Sequence, residues 1–271
     1  MARLRNAVSF RLQSACFVCF LTANAQGQSC HLPPRFEQAE AKVEPFTASL
    51  RTETAGFSTP EYEGHYEGVI PDFAFRERWF EAQASLPVYR IVRNGRSDLG
   101  PGDVLLQARA ALVGDRTRDH VLGLELAASL PTGDPERELG MGHVMLMPSA
   151  WGTLTSGRFG FSARAGYARA IVGSSTHHHH AGGMSPLVDP MNESELDGAL
   201  AGSLAVTRLI GVRAGFYGAV PVAVTDGQAR AAGFAGFGVD NGRVSSDFEL
   251  HLPVAGDPFT VKLLLELGVR F

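Results

Sequence analysis

Four consecutive histidines, His177, His178, His179 and His180, are the densest set of ligand atoms in this 271-residue chain. Adjacent imidazoles on an irregular segment chelate borderline divalent ions such as Zn, Cu or Ni, and nearby carboxylates and thioethers add donors. Asp189 and Glu193 follow closely, accompanied by Met184, Met191 and Glu195. A divalent transition metal is therefore expected on His177, His178, His179, His180, Asp189 and Glu193. Structural zinc is not expected, because paired cysteines at fixed spacing are missing from this region. No motif calls for any other cofactor. Catalytic sets are scarcer still. Ser174, Ser175 and His177 are close in sequence, but a nucleophilic site needs a base and an orienting acid that converge in space. His251 shares one strand face with Glu249 and Asp247, and no Gly-x-Ser-x-Gly elbow occurs anywhere. The chain is expected not to be an enzyme.

The elements that would position these groups are strands. In residues 258–271 the positions Phe259, Val261, Leu263, Leu265, Leu267, Val269 and Phe271 share one parity, and Thr260, Lys262, Glu266, Gly268 and Arg270 share the other. Side chains alternate between the faces of a strand, so this segment has one apolar face and one polar face. Similar alternation runs through Leu122, Leu124 and Leu126 against Glu125, and through Val212, Phe216 and Val220 against Arg213 and Tyr217. Phe248, Leu250 and Leu252 likewise oppose Asp247, Glu249 and His251. About twelve such segments are expected, at 45–57, 62–75, 79–92, 103–114, 119–130, 143–153, 158–172, 197–208, 211–224, 229–240, 243–254 and 258–271. Their lengths suit tilted strands that cross a bilayer. The expected fold is all-β, an antiparallel transmembrane β-barrel of about twelve strands.

Connection lengths give an independent reading. Outer-membrane barrels have short turns on the periplasmic side and long loops outside. The long connections 93–102, 131–142 and 173–196 all follow odd-numbered strands, while 114–118, 154–157 and the Asn241-Gly242 turn follow even ones. The histidine run then lies in the longest external loop. Pro71, Pro87, Pro148 and Pro221 fall inside expected strands, where each removes a ladder hydrogen bond. Around Pro87 the apolar parity changes, from Phe80, Ala82, Ala84 and Leu86 to Tyr89 and Ile91, and a bulge is expected there.

If the apolar parity faces lipid, a polar set faces the lumen: Arg51, Glu53, Glu63, His65, Glu67, Glu125, Arg164, Arg213, Asp247, Glu249, His251, Lys262, Glu266 and Arg270. A lysine or arginine facing lipid at mid-bilayer costs roughly 2–4 kcal/mol, which motivates the sorting. These groups either line a narrow channel or pair with one another in a filled interior.

The amino-terminal end fits export. Arg3, Arg5 and Arg11 precede the apolar run 15–23 and the small residues Ala23-Asn-Ala25, the layout of a secretory signal peptide over residues 1–25. Cys16 and Cys19 fall within it, and Cys30 lacks the preceding leucine expected of a lipidated cysteine. Residues 26–44, with Pro33, Pro34, Glu37, Glu40 and Glu44, read as a polar lead-in to a barrel domain at 45–271. The formal net charge of −4 becomes −7 when the three arginines leave with the signal. An acidic exported chain is a poor partner for nucleic acid. No apolar run past residue 25 is long enough for a transmembrane helix.

Two resemblances extend this reading. The aromatic end of the last strand resembles the terminal segment of bacterial outer-membrane proteins, which implies recognition by the barrel-assembly machinery. Leu126-Ala-Ala-Ser-Leu-Pro-Thr-Gly-Asp134 resembles a strand-end corner in exported barrel-like transporters of the phenol-degradation MetA-pathway type. Pro131 would end the strand, Gly133 would permit the turn and Asp134 would bond nearby backbone. That resemblance implies an outer-membrane barrel in contact with lipid and a small molecule or ion as solute. The function expected is a channel or transporter for small solutes with a metal-binding external loop. The alternatives are a plugged structural or metal-binding barrel without flux, an outer-membrane lipid hydrolase, and a soluble exported all-β protein.

Overall fold

A computed structural model describes residues 45–58, 63–115, 118–173, 188, 191–223, 227–256 and 259–271. The expected signal peptide, the lead-in segment, the four histidines, Met184 and Asp189 lie outside these residues. The described chain is built of antiparallel strands. They are β1 (Phe46–Ser58), β2 (Glu63–Arg76), β3 (Phe80–Ser85), β4 (Val88–Arg93), β5 (Arg96–Pro101), β6 (Val104–Val113) and β7 (His120–Leu130). The remainder are β8 (His143–Ser156), β9 (Phe159–Gly173), β10 (Ser194–Ala205), β11 (Ile210–Pro221), β12 (Arg230–Asp240), β13 (Val244–Ala255) and β14 (Phe259–Arg270). Each long strand pairs with its sequence neighbours, and β14 pairs with β1 from Thr47↔Arg270 to Phe57↔Phe259, which closes the sheet on itself. The seam is sealed by paired backbone bonds, Phe46 N–H to Phe271 O at 3.1 Å and the reverse at 3.0 Å.

Fourteen segments make twelve wall positions, because two positions are shared. β2 pairs along one half with β3 and along the other with β4. β6 lies beside β3, and β5 lies beside β4. The break falls at Leu86-Pro87, where proline cannot donate to the ladder. There the Leu86 N–H bonds Pro71 O (3.0 Å) and the Gly102 N–H bonds Pro87 O (2.9 Å). The expected long loop at 93–102 is instead a tight hairpin. Asn94 (φ 47°) and Gly95 (φ 78°) form its two-residue turn, the backbone that an Asn-Gly pair favours. The expected strand at 197–208 begins and ends three residues earlier, because Thr207 Oγ1 accepts the N–H groups of Leu209 (3.1 Å) and Ile210 (2.9 Å) in a turn.

Burial alternates along the wall. Leu122, Leu124 and Leu126 are 57%, 52% and 51% exposed, while Val121, Glu125 and Ala127 between and beside them are at most 4% exposed. The same outward set continues through Leu200, Phe216, Phe237, Leu252, Leu263, Leu265 and Leu267 around the barrel. An exposed apolar band of that extent is incompatible with a soluble surface. Around a closed barrel it is the lipid-facing belt, which places the protein in the bacterial outer membrane. Phe259 departs from its expected outward parity. A bulge between Gly56 and Phe57 turns it inward, where it is 5% exposed.

Candidate solute path

The lumen has two tiers of different chemistry. Around its middle, buried charges are arranged in pairs. Glu125 on β7 receives hydrogen bonds from Arg109 on β6 (2.5 Å), Arg164 on β9 (3.0 Å) and Ser149 on β8 (3.2 Å), and Arg164 also bonds Asp197 on β10. Farther round the wall, Arg213 on β11 pairs with Glu249 on β13. Glu249 is also 3.1 Å from His251 Nε2, and the other ring nitrogen of His251 is 3.1 Å from the Tyr217 hydroxyl. Lys262 on β14 pairs with Glu53 on β1 at 3.3 Å and lies over the Tyr66 ring. Period-two spacing forces these groups inward, and burial then requires each charge to have a partner.

Toward the end at which β1, β7 and β9 finish, the lining becomes apolar. Tyr66 and Ile70 from β2, Tyr89 and Ile91 from β4, and Phe57 from β1 belong to one buried cluster that reaches Ala199, Tyr217 and Phe234 on the other side of the barrel. A second cluster joins Met141, Met145, Met147 and Met191 to Ala127 and Ala168. Loop residues complete both clusters. Leu139 and Val188 enter the first, and Met141 and Met191 enter the second. Among the described residues a cavity of about 30 Å³ lies between them, lined by Arg51, Tyr89, Leu139, Met141, Met147 and Met191 among others. That is room for only one or two waters.

The loop 131–142 is held in place by the break in the wall. Asp103, between β5 and β6, accepts the backbone N–H groups of Gly133 (2.9 Å) and Met141 (2.7 Å). Thr132 Oγ1 donates to Gly102 O (2.8 Å) and accepts from Val104 N–H (2.9 Å). Glu138 pairs with Arg93 Nη1 at 2.7 Å. The Asp134 carboxylate accepts the N–H groups of Glu136 and Arg137 and caps a short 3-10 turn, Pro135–Arg137. A side chain at Gly133 would meet Leu139 O at 2.5 Å, so glycine is required there by close packing. On the opposite side, Glu195 accepts from Asn192 N–H (3.0 Å) and Asn192 Nδ2 (2.7 Å) and pairs with Arg230. Asn192 in turn binds the backbone of Gln228.

Of the residues expected in the lumen, the structure brings together Glu125 with Arg164, Arg213 with Glu249 and His251, and Glu53 with Lys262. Arg51 stands opposite Glu266 in the β1–β14 register, and Arg270 pairs with Asp240 at 2.8 Å near the Asn241-Gly242 turn. Glu63, His65 and Glu67 are placed differently. They lie on the outward parity of β2 with Val69 and Phe73, and Glu67 meets Arg90 of β4 at 3.4 Å. At this end of β2 and β4 the outer surface is polar and the lumen is apolar, so sorting by polarity inverts. The same fact corrects the expected bulge at Pro87. Odd residues Glu81, Ser85, Tyr89 and Ile91 all face inward across the break, so the lining changes chemistry and the backbone keeps its parity. Glu193 is exposed just ahead of β10.

Several lining residues escaped the sequence reading. Asp197 and Arg109 had the parity to reveal them, whereas Glu195 fell in an expected loop. The alternation Met141, His143, Met145, Met147 was also legible as one face.

No family model and no curated protein matches this sequence. Among solved structures, an outer membrane channel from Pseudomonas putida F1 superposes with a TM-score of 0.67 at 13% identity, covering 88% of this chain and 99% of that one. The translocator domain of the autotransporter NalP from Neisseria meningitidis gives 0.49 at 14% identity, over 86% and 91% of the two chains. The toluene transporter TbuX from Ralstonia pickettii gives 0.42 at 10%, over 83% and 89%. Only the first of these bears on the fold, and it has the fold implied by the resemblance around residues 126–134.

Proposed function

We propose that this protein is an outer-membrane channel for small solutes whose entrance tier suits apolar or aromatic molecules. One observation carries the reading: side chains from loops pack into the apolar clusters that the wall presents to the upper lumen. Leu139, Met141, Val188 and Met191 fill it, and loop 131–142 is attached through Asp103, Thr132 and the Glu138–Arg93 pair. Hydrogen bonds to a charged group contribute about 1.5–3 kcal/mol each, and burial of Leu139 and Met141 adds a similar amount per side chain. None of these contacts belongs to the strand ladder, so the loop can open without disturbing it. The lining beneath offers Tyr66, Tyr89, Met145 and Met147, adaptable apolar surface with edges for aromatic contact. The resemblance at residues 130–134 to transporters of the phenol-degradation type agrees with that chemistry. Proteoliposomes give the test. Swelling in small, weakly polar solutes but not in an oligosaccharide is expected; equal impermeability to both, in protein with native heat-modifiable mobility, would sink the channel.

The plugged barrel is the second reading, and the cluster that spans the lumen favours it. Conductance separates the two. For a lipid hydrolase the geometry offers little support, since both ring nitrogens of His251 face Glu249 and Tyr217 instead of a serine hydroxyl.

The loop between β9 and β10 is proposed to bind a divalent transition metal through His177, His178, His179 and His180 with Asp189 and Glu193. The support is the chemistry of adjacent imidazoles with carboxylates nearby. Titration with Ni(II) or Zn(II) should show binding that is lost when the four histidines become serine. Export through the signal peptide and engagement of the final strand by the assembly machinery belong to the same reading. Deleting Phe271 should lower the amount of folded barrel in the outer membrane.

A further inference from the structure

The run Met141-Gly-His-Val-Met-Leu-Met147 puts three thioethers and one imidazole at alternate positions. In a strand that spacing sends all of them to one face, with successive members about 6–7 Å apart along the chain. Here the face is the lumen. Met145 and Met147 are 0% and 1% exposed, and Met141 at 8% joins them from the loop end. Met191 enters the same cluster at 3%, carried by the segment that leads into β10. Four of the six methionines in the chain therefore share one buried cluster. His143 Nε2 is 3.1 Å from Met145 Sδ. Nitrogen and sulfur donors that share one first-row ion lie about 3–4 Å apart, so this pair already has the bite of a chelate. A cavity of about 30 Å³ adjoins the cluster, bounded by Met141, Met147 and Met191 together with Arg51 and Asp103.

From this arrangement we propose a binding site for a soft monovalent cation, of the Cu(I) class, formed by the thioethers of Met145, Met147 and Met191 with His143 beside them. Thioethers are soft ligands that select Cu(I) over divalent ions. Carboxylates and thiolates, which would recruit Zn(II), do not converge there: among the described residues, no group of three His, Cys, Asp or Glu forms a metal site. The ordinary role of methionine as an adaptable core filler explains burial. The imidazole of His143, hydrogen-bonded to Met145 Sδ, adds a nitrogen donor to the three thioethers on that face.

The test uses the full mature chain refolded in detergent, with His177, His178, His179 and His180 replaced by serine so that the external run cannot contribute. Silver(I) nitrate in chloride-free buffer serves as a redox-inert probe, followed by calorimetry and by the methyl resonances of 13C-labelled methionine. One equivalent should bind with micromolar or tighter affinity and move several methionine methyl signals. Met145→Leu and Met147→Leu conserve volume. Each should weaken binding at least tenfold while the barrel keeps its boiling-dependent mobility. Zn(II) in excess should not displace the silver. The site is overturned if the serine form binds no silver, if the double leucine variant binds as tightly as its parent, or if Zn(II) competes on equal terms.

Discussion

The middle of the lumen and its outer tier are built from the same alternating strands, yet they are held in opposite ways. In the middle, Arg109, Glu125, Arg164 and Asp197 come from β6, β7, β9 and β10 and cross-link that part of the wall through charge. In the outer tier, methionines and tyrosines from the wall meet Leu139, Met141, Val188 and Met191 from loops, and the polar attachments are at the loop bases. The first is part of the wall and cannot move without it. The second is the part that moves in the proposed channel. In the proposed channel the wall is therefore the stable part and the outer tier the stopper, with the buried Glu195–Arg230 pair fixing the β10 side of that tier.

Substitutions should separate the two tiers in a graded series. Glu125→Ala is expected to have the largest effect, since it leaves the buried Arg164 and the partly buried Arg109 without their shared acid. Removing one partner of a buried pair costs about 3–5 kcal/mol. Refolding yield and heat-modifiable mobility should both collapse, with Glu125→Gln milder. Asp103→Ala should come next. It strands the N–H groups of Gly133 and Met141, at roughly 1–3 kcal/mol each where buried. The predicted result is an intact barrel with a severalfold larger conductance, because the loss falls on the loop. Glu138→Ala breaks the partly buried contact with Arg93, worth up to about 1 kcal/mol. Conductance should rise slightly, and the thermal midpoint should shift by only a few degrees. Smallest of all, Glu67→Ala removes a half-exposed pair with Arg90 on the outer surface, and neither conductance nor stability should change measurably. If Glu67→Ala instead altered conductance, the assignment of β2 parity would be wrong.

The sequence made the regular part of the wall legible and the irregular part opaque, for a physical reason. Along most of β7 to β14 the lipid-facing parity is apolar, so alternation in residues such as Leu122–Leu130 or Val244–Ala255 reads directly. Around β2 to β5 the rule inverts. Tyr89 and Ile91 face inward while Glu67 and Arg90 face outward. Polarity alone therefore misplaced Glu63, His65 and Glu67. Pro87 was rightly singled out, but its effect is a change of pairing partner and not a parity flip. The Asn94-Gly95 hairpin carried a strong local signal that was absorbed into an expected loop. The corner at 130–134 was legible in its turn chemistry. Its anchor, Asp103, was not, since nothing local ties that carboxylate to a loop some thirty residues away.

The most direct test of this account is single-channel recording in planar bilayers, comparing the wild-type barrel with Asp103→Ala. Small ohmic steps that grow severalfold in the variant, from protein whose mobility still changes on boiling, are the predicted result. Silence from both proteins, with the barrel folded in each, would contradict a loop-gated channel and leave a plugged wall protein in its place.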